Sequence, residues 1–190
     1  MSLSRREAPM RTLHGPEALD VADHLAAVYG EVFAAEPWSE GPDDVAAFRK
    51  RLAEDVREPG FRAVIAGDGF ASGWRTTLPL PRSRAYPRVL AHLGEERAKD
   101  LLDGALVVDE LAVRPEARGT GLGRRLLAEL VGPERAWLLT SARAPAAIEF
   151  YRRVGWRRVE PSPGVESTLV VFVTPSWVAR EFSRAPASRD

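Results

Sequence analysis

The chain has 190 residues, 45% of them hydrophobic and 28% charged, the balance of one globular domain with a sizeable core. Lys+Arg and Asp+Glu both number 27, so the formal net charge is zero and the basic excess of a dedicated nucleic-acid binder is absent. There is no cysteine, which excludes disulfides, thiolate metal sites and cysteine nucleophiles. No apolar run reaches the length of about 18 residues that a membrane span needs. The first residues lead into no apolar signal segment, so a cytoplasmic protein with no membrane partner is expected.

In chain order, Arg11–Gly15 reads as a short strand and Glu17–Ala35 as a helix. Leu25, Val28, Tyr29, Val32 and Phe33 recur at three- and four-residue steps and form its buried stripe. Pro37 ends it, and Glu36–Pro42 is a loop. Asp43–Arg57 is a second helix, with Val45, Phe48, Leu52 and Val56 inward, stopped by Pro59-Gly60. Phe61–Ala66 and Phe70–Leu78 are strands joined by a tight turn at Gly67-Asp68-Gly69. Residues 79–103 form an insertion between strands, with a short helix over Val89–Leu102. Ala105–Val113 is an apolar strand closed by Pro115, and Gly123–Val131 is a helix. Ala136–Thr140 is a buried strand, and Pro145–Val154 is a helix ended by Gly155. Trp156–Val159 and Thr168–Thr174 are the last strands. Trp177 and Phe182 are candidates for docking, and 184–190 reads as a flexible tail. The sum is an α/β domain over 1–183, with a mixed central sheet of about six to seven strands flanked by helices.

Two features carry chemistry. The first is the loop Arg118-Gly119-Thr120-Gly121-Leu122-Gly123-Arg124, between a buried strand and an amphipathic helix. The free N–H groups at a helix start, the helix dipole, glycines that admit close approach and flanking arginines together make a phosphate cradle. The run G-x-x-x-x-G-K-[ST] of a nucleotide triphosphate loop is absent, and Arg124 stands where a dinucleotide fingerprint needs its last glycine. The second is Asp109-Glu110, inside an otherwise apolar strand. Strand alternation sends the two side chains to opposite faces, and a buried carboxylate needs water, a partner or a substrate. His14, His24 and His92 show no metal-ligand spacing, so no metal is expected.

These residues resemble the GNAT superfamily of N-acetyltransferases, from about Ala105 to Val173. The resemblance rests on Leu111-Ala112-Val113-Arg114-Pro115-Glu116-x-Arg118-Gly119-x-Gly121-Leu122-Gly123 and on Ala147-x-x-Phe150-Tyr151-Arg152-Arg153-x-Gly155-Trp156. It implies a GNAT-like acyl-CoA N-acyltransferase fold. It further implies acetyl-CoA as co-substrate and direct transfer of its acetyl group to an amine of a small molecule or peptide. Arg118, Gly119, Thr120, Gly121, Leu122, Gly123 and Arg124 would hold the pyrophosphate. Backbone groups of Leu111, Ala112 and Val113 would hold the pantetheine arm. Asp109, preferred over Glu110, would take the proton of the amine, and Tyr151 would serve the leaving thiolate. The acceptor would enter between 36–42 and 160–167, with Trp38 and Trp74 as candidate lining residues. Where family members often carry Asn, this chain has Ala144, which removes one contact to the cofactor arm. A non-catalytic acyl-CoA sensor and a transferase for another acyl group stay open, as does a homodimer.

Overall fold

A computed structural model describes residues 9–80 and 85–175. The proposed docking residues Trp177 and Phe182 and the tail 184–190 lie outside these. Strand β1 (Arg11–His14) leads through a 3-10 helix (Gly15–Val21) into α1 (Ala22–Phe33). The single helix expected over Glu17–Ala35 is therefore two elements. Helix α2 (Pro42–Asp55) starts at Gly41, whose N–H donates to the Asp44 carboxylate 2.9 Å away. Hairpin strands β2 (Arg62–Ala66) and β3 (Gly69–Arg75) follow, with Ala66 opposite Gly69, so the turn is the two residues Gly67-Asp68.

The insertion holds two helices, α3 (Tyr86–Leu93) and α4 (Glu95–Leu102), where one was expected. They break at Gly94, whose φ of 79° an L-residue seldom adopts. Then come β4 (Leu106–Val113), a 3-10 turn (Pro115–Ala117), α5 (Leu122–Val131), β5 (Ala136–Ser141), α6 (Pro145–Arg153), β6 (Arg157–Val159) and β7 (Leu169–Val173). The sheet is mixed, with seven strands in the order β1-β2-β3-β4-β5-β7-β6. Strands β4 and β5 pair in parallel at Leu106–Ala136 and Val107–Trp137, with α5 as the crossover that a parallel pair requires. Strands β1, β2 and β3 are antiparallel neighbours, as are β5, β7 and β6.

The described residues fall into two compact units, with the division inside β4. The first ends at Arg75 and resumes over Val108–Gly132; the second comprises Thr76–Val107 and the chain from Pro133. In the first, the expected stripe of α1 is buried, as are Phe48 and Leu52 of α2 and Phe70 of β3. In the second, β7 is buried along its whole length, and Trp137 is fully buried with its indole N–H donating to Thr76 Oγ1 at 2.8 Å.

Gly69 shows how closely the first unit is packed. A Cβ built there would stand 2.7 Å from the Ala112 carbonyl oxygen, a backbone atom that cannot swing aside. Gly69→Ala is therefore expected to destabilise the fold by about 1–3 kcal/mol through overpacking. A denaturant midpoint equal to that of the wild type would contradict this.

Candidate functional site

In the first unit, α1, α2, the loop between them and β4 bring four polar side chains together around an aromatic stack. Tyr29 is buried. Its ring stacks on Phe48 at 4.3 Å and leans on Phe33 at 4.6 Å, while Phe33 meets Trp38 edge-on at 5.2 Å. The spacing of Tyr29 and Phe33 on α1 makes this possible, because residues four apart share a helix face.

The polar tip of Tyr29 faces Arg51, Glu40 and Glu110. Arg51 Nη2 donates to the Tyr29 hydroxyl at 3.2 Å and lies 3.7 Å from Glu110 Oε1. Its guanidinium carbon is 5.9 Å from the centre of the Tyr29 ring and 6.0 Å from that of Phe48. The Glu110 side chain is only 15% exposed, so Arg51 supplies the counter-charge that a carboxylate needs there. Glu40 shares a hydrogen bond with the Tyr29 hydroxyl, while its Oε2 is buried without a hydrogen-bond partner.

Burial, then the charge of Glu110, and then the hydrogen bond to Glu40 push the Tyr29 hydroxyl well above its ordinary value; Arg51 opposes them less strongly. Tyr29 is thus a neutral phenol at any physiological pH. The unfolded chain releases this proton near pH 10 and the folded chain above it, so this part of the stability is whole below pH about 10 and is lost as pH rises further. Ultraviolet titration should show one fewer phenolate forming near pH 10 in wild type than in the unfolded chain because of Tyr29. In Tyr29→Phe that difference should vanish.

Among residues singled out from sequence, Glu110 joins this cluster. Asp109 beside it is half-buried and also engaged. Trp38 packs at the margin of the stack through Phe33. Trp74, at the end of β3, is buried and lies parallel to Phe61 at 6.3 Å, a packing position. Sequence pattern marks Tyr29 only as a stripe residue and gives Arg51 no special place. The available signal was an arginine one turn after Phe48 on an apolar face, and a stripe residue with a polar tip.

The glycine loop is also in the first unit. Gly119 and Gly121 have φ of 80° and 83°, conformations that disfavour any side chain, and Gly121 caps the N-terminus of α5. A Cβ at either would meet no atom within 4 Å, so open space lies beside both. Thr120 Oγ1 donates to the Ala117 carbonyl at 2.7 Å and accepts from the Leu122 N–H at 3.4 Å, which fixes the turn. Arg118 is exposed, with Nε 3.4 Å from the Val113 carbonyl, and Arg124 is exposed too. Leu111 and Val113 are half-buried and Ala112 is buried. The loop thus offers helix N–H groups, glycine backbone and guanidinium charge to an anion such as the pyrophosphate of CoA.

In the second unit, Tyr151 of α6 is buried against Phe150, Trp156 and Phe172, at ring distances of 5.2, 6.2 and 5.5 Å. Its helix closes at Gly155, with φ of 90°. Ala144 is the N-terminal flanking residue of that helix and is buried. Among the described residues, no group of three or more His, Asp or Glu side chains is arranged to hold a metal ion. No helix among them is long and apolar enough to cross a membrane.

Residues 88–158 match the sequence family described as acetyltransferase (GNAT) domain. Over that segment, about a third of its length, the chain is similar to GNAT acetyltransferase domains. Solved structures share this fold. A putative acetyltransferase of the GNAT family from Desulfovibrio desulfuricans superposes with a TM-score of 0.55 at 18% identity, over 87% of this chain and 95% of its own. The PaiA N-acetyltransferase of Thermoplasma acidophilum, solved with coenzyme A, gives 0.53 at 11% identity, over 87% and 97%. The aminoglycoside N-acetyltransferase AAC(6')-Iy, also solved with CoA, gives 0.56 at 15% identity, over 87% and 99%. At these identities the likeness is one of fold. No curated protein matches this chain by sequence.

Proposed function

We propose that residues 1–183 act as one acetyl-CoA-dependent N-acetyltransferase, passing the acetyl group directly to an amine of a small molecule or peptide. The observation that carries this reading is the Arg118–Arg124 loop, with two left-handed glycines and open space at the start of α5. It suits the diphosphate of a CoA thioester, and the GNAT domain match makes that thioester the donor of choice. Backbone groups of Leu111, Ala112 and Val113 would hold the pantetheine arm.

Chemistry requires a neutral amine at the thioester carbon. An alkylamine is mostly protonated at neutral pH, so a nearby carboxylate must take its proton. Within the Asp109-Glu110 pair, Glu110 lies 3.7 Å from Arg51 in the cluster with Tyr29 and Glu40, and it is assigned as that base. The unpartnered Glu40 oxygen adds negative charge in the same cluster, which favours a cationic acceptor. As the carbon–nitrogen bond forms and the carbon–sulfur bond breaks, the amine proton goes to Glu110. The departing thiolate takes a proton from Tyr151, the tyrosine assigned by its motif.

The test is release of CoA thiol from acetyl-CoA against a panel of polyamines, aminoglycosides, amino acids and peptides. Amine-dependent release with at least one class supports the reading. Acetyl-CoA binding without release for any amine would favour a sensor instead.

A further inference from the structure

We infer that helices α3 and α4 of the insertion brace the β6–β7 connection, and that His92 is the residue that positions it. The inference rests on the reading that this connection borders the acceptor.

Strand β6 is three residues long and lies at the edge of the sheet, paired only through β7, with Val159 opposite Val171. An edge strand leaves backbone groups facing outward that must find a partner. His92 fills that role at Val159. It is 1% exposed, and its Nε2 is 3.0 Å from the Val159 carbonyl oxygen. A carbonyl only accepts, so Nε2 is the donor of this bond, while Nδ1 is buried without a partner.

The main chain answers in the other direction. The Ser162 N–H donates to the His92 carbonyl at 2.7 Å, and Ser162 Oγ donates to the Leu93 carbonyl at 2.8 Å. From α4, Arg97 Nη1 donates to the Glu160 carbonyl at 2.7 Å. Four hydrogen bonds thus tie α3 and α4 to residues 159–162, where the chain leaves β6. The remainder, up to Thr168, has no regular secondary structure. It turns at Ser162–Val165, where the Val165 N–H donates to the Ser162 carbonyl at 3.0 Å. The start of the connection is therefore set by the insertion, and its course beyond depends on that start.

A histidine with one satisfied and one orphaned nitrogen is an odd choice for packing alone. Leucine would fill a similar space without an unpaired polar atom. The side chain earns its place through the single N–H it aims at Val159. His92→Leu removes that donor, whereas His92→Gln can present an amide N–H near the position of Nε2. Arg97→Ala removes an exposed tie with little risk to the fold.

The experiment is hydrogen exchange over 157–168 in wild type and the three variants, joined to acetyl-CoA titration and steady-state kinetics with the best amine of the panel. His92→Leu should raise exchange in 159–168 about tenfold, the scale of one lost hydrogen bond, and leave α5 unchanged. It should raise the amine KM about tenfold while kcat and the acetyl-CoA affinity stay within about twofold, and His92→Gln should restore most of both. Arg97→Ala should move exchange and amine KM in the same direction, by less. Unchanged exchange in both His92→Leu and Arg97→Ala overturns the brace, and if His92→Leu does not fold, Arg97→Ala decides. Amine and acetyl-CoA KM rising together overturns the positioning role. If the wild type neither binds acetyl-CoA nor acetylates any amine, the proposed function falls with the acceptor half of this inference, while exchange still decides the brace.

Discussion

Glu110→Gln is expected to lower kcat about 10²–10⁴-fold, the range for loss of a general base, while acetyl-CoA affinity stays at the wild-type value. The amide keeps the shape of the side chain and its contact with Arg51, which stands 3.7 Å from the carboxylate, but it cannot take a proton. The deficit should shrink as pH rises. An alkylamine with a pKa near that of lysine, about 10.4, becomes roughly tenfold more available as free base for each pH unit below that value. The variant should follow this slope through the range in which the wild type levels off. Thiol release at saturating amine, measured across pH, provides the check. If Glu110→Gln retains wild-type turnover and Asp109→Asn does not, the neighbouring carboxylate is the base.

Phe70→Ala is expected to cost about 3–5 kcal/mol of stability, the usual range for a phenylalanine removed from a core. Phe70 is wholly buried in β3, with its ring 5.9 Å from Phe48. Phe48 in turn stacks on Tyr29, whose hydroxyl bonds Arg51 and Glu40. A cavity at Phe70 therefore loosens the support beneath the polar cluster as well as the core. Denaturant unfolding should show a large fall in midpoint with little change in slope. A loss under about 1 kcal/mol would mean that the site collapses onto the cavity, contrary to the close packing of interiors.

The elements that local pattern determines were legible in the sequence. The stripe Leu25–Phe33, the hairpin around Gly67-Asp68 and the strand–glycine loop–helix unit from β4 to α5 depend on periodicity and on residues with special backbone freedom, and these can be read along the chain. The entry to α1 was misread because Pro16 and the apolar positions after it suit a 3-10 turn as well as an α-helix. The insertion was read as one helix because its apolar spacing continues across Gly94, whose left-handed φ breaks it. The polar cluster was legible only in part. The carboxylates of β4 stand out against apolar neighbours, and the acidic loop holding Glu40 was visible. That Arg51 and Tyr29 meet Glu110 depends on the packing of α1, α2 and β4, and no local pattern encodes contacts between positions 29, 40, 51 and 110. The tie between His92 and Val159 is hidden for the same reason, since 67 residues separate the partners.

The central claim is that the glycine loop holds a CoA thioester. Calorimetric titration of acetyl-CoA into wild type and Gly121→Glu tests it most directly, with ATP and NAD as controls and thermal melts to confirm that both proteins are folded. The substitution places a carboxylate beside the open N-terminus of α5, where an anion is expected to sit. The account predicts binding of acetyl-CoA, but not of ATP or NAD, to wild type, and a loss of about a hundredfold or more in a folded variant, as expected for a lost charge-assisted phosphate site. Equal affinity in the two proteins, or no binding to wild type, would contradict it.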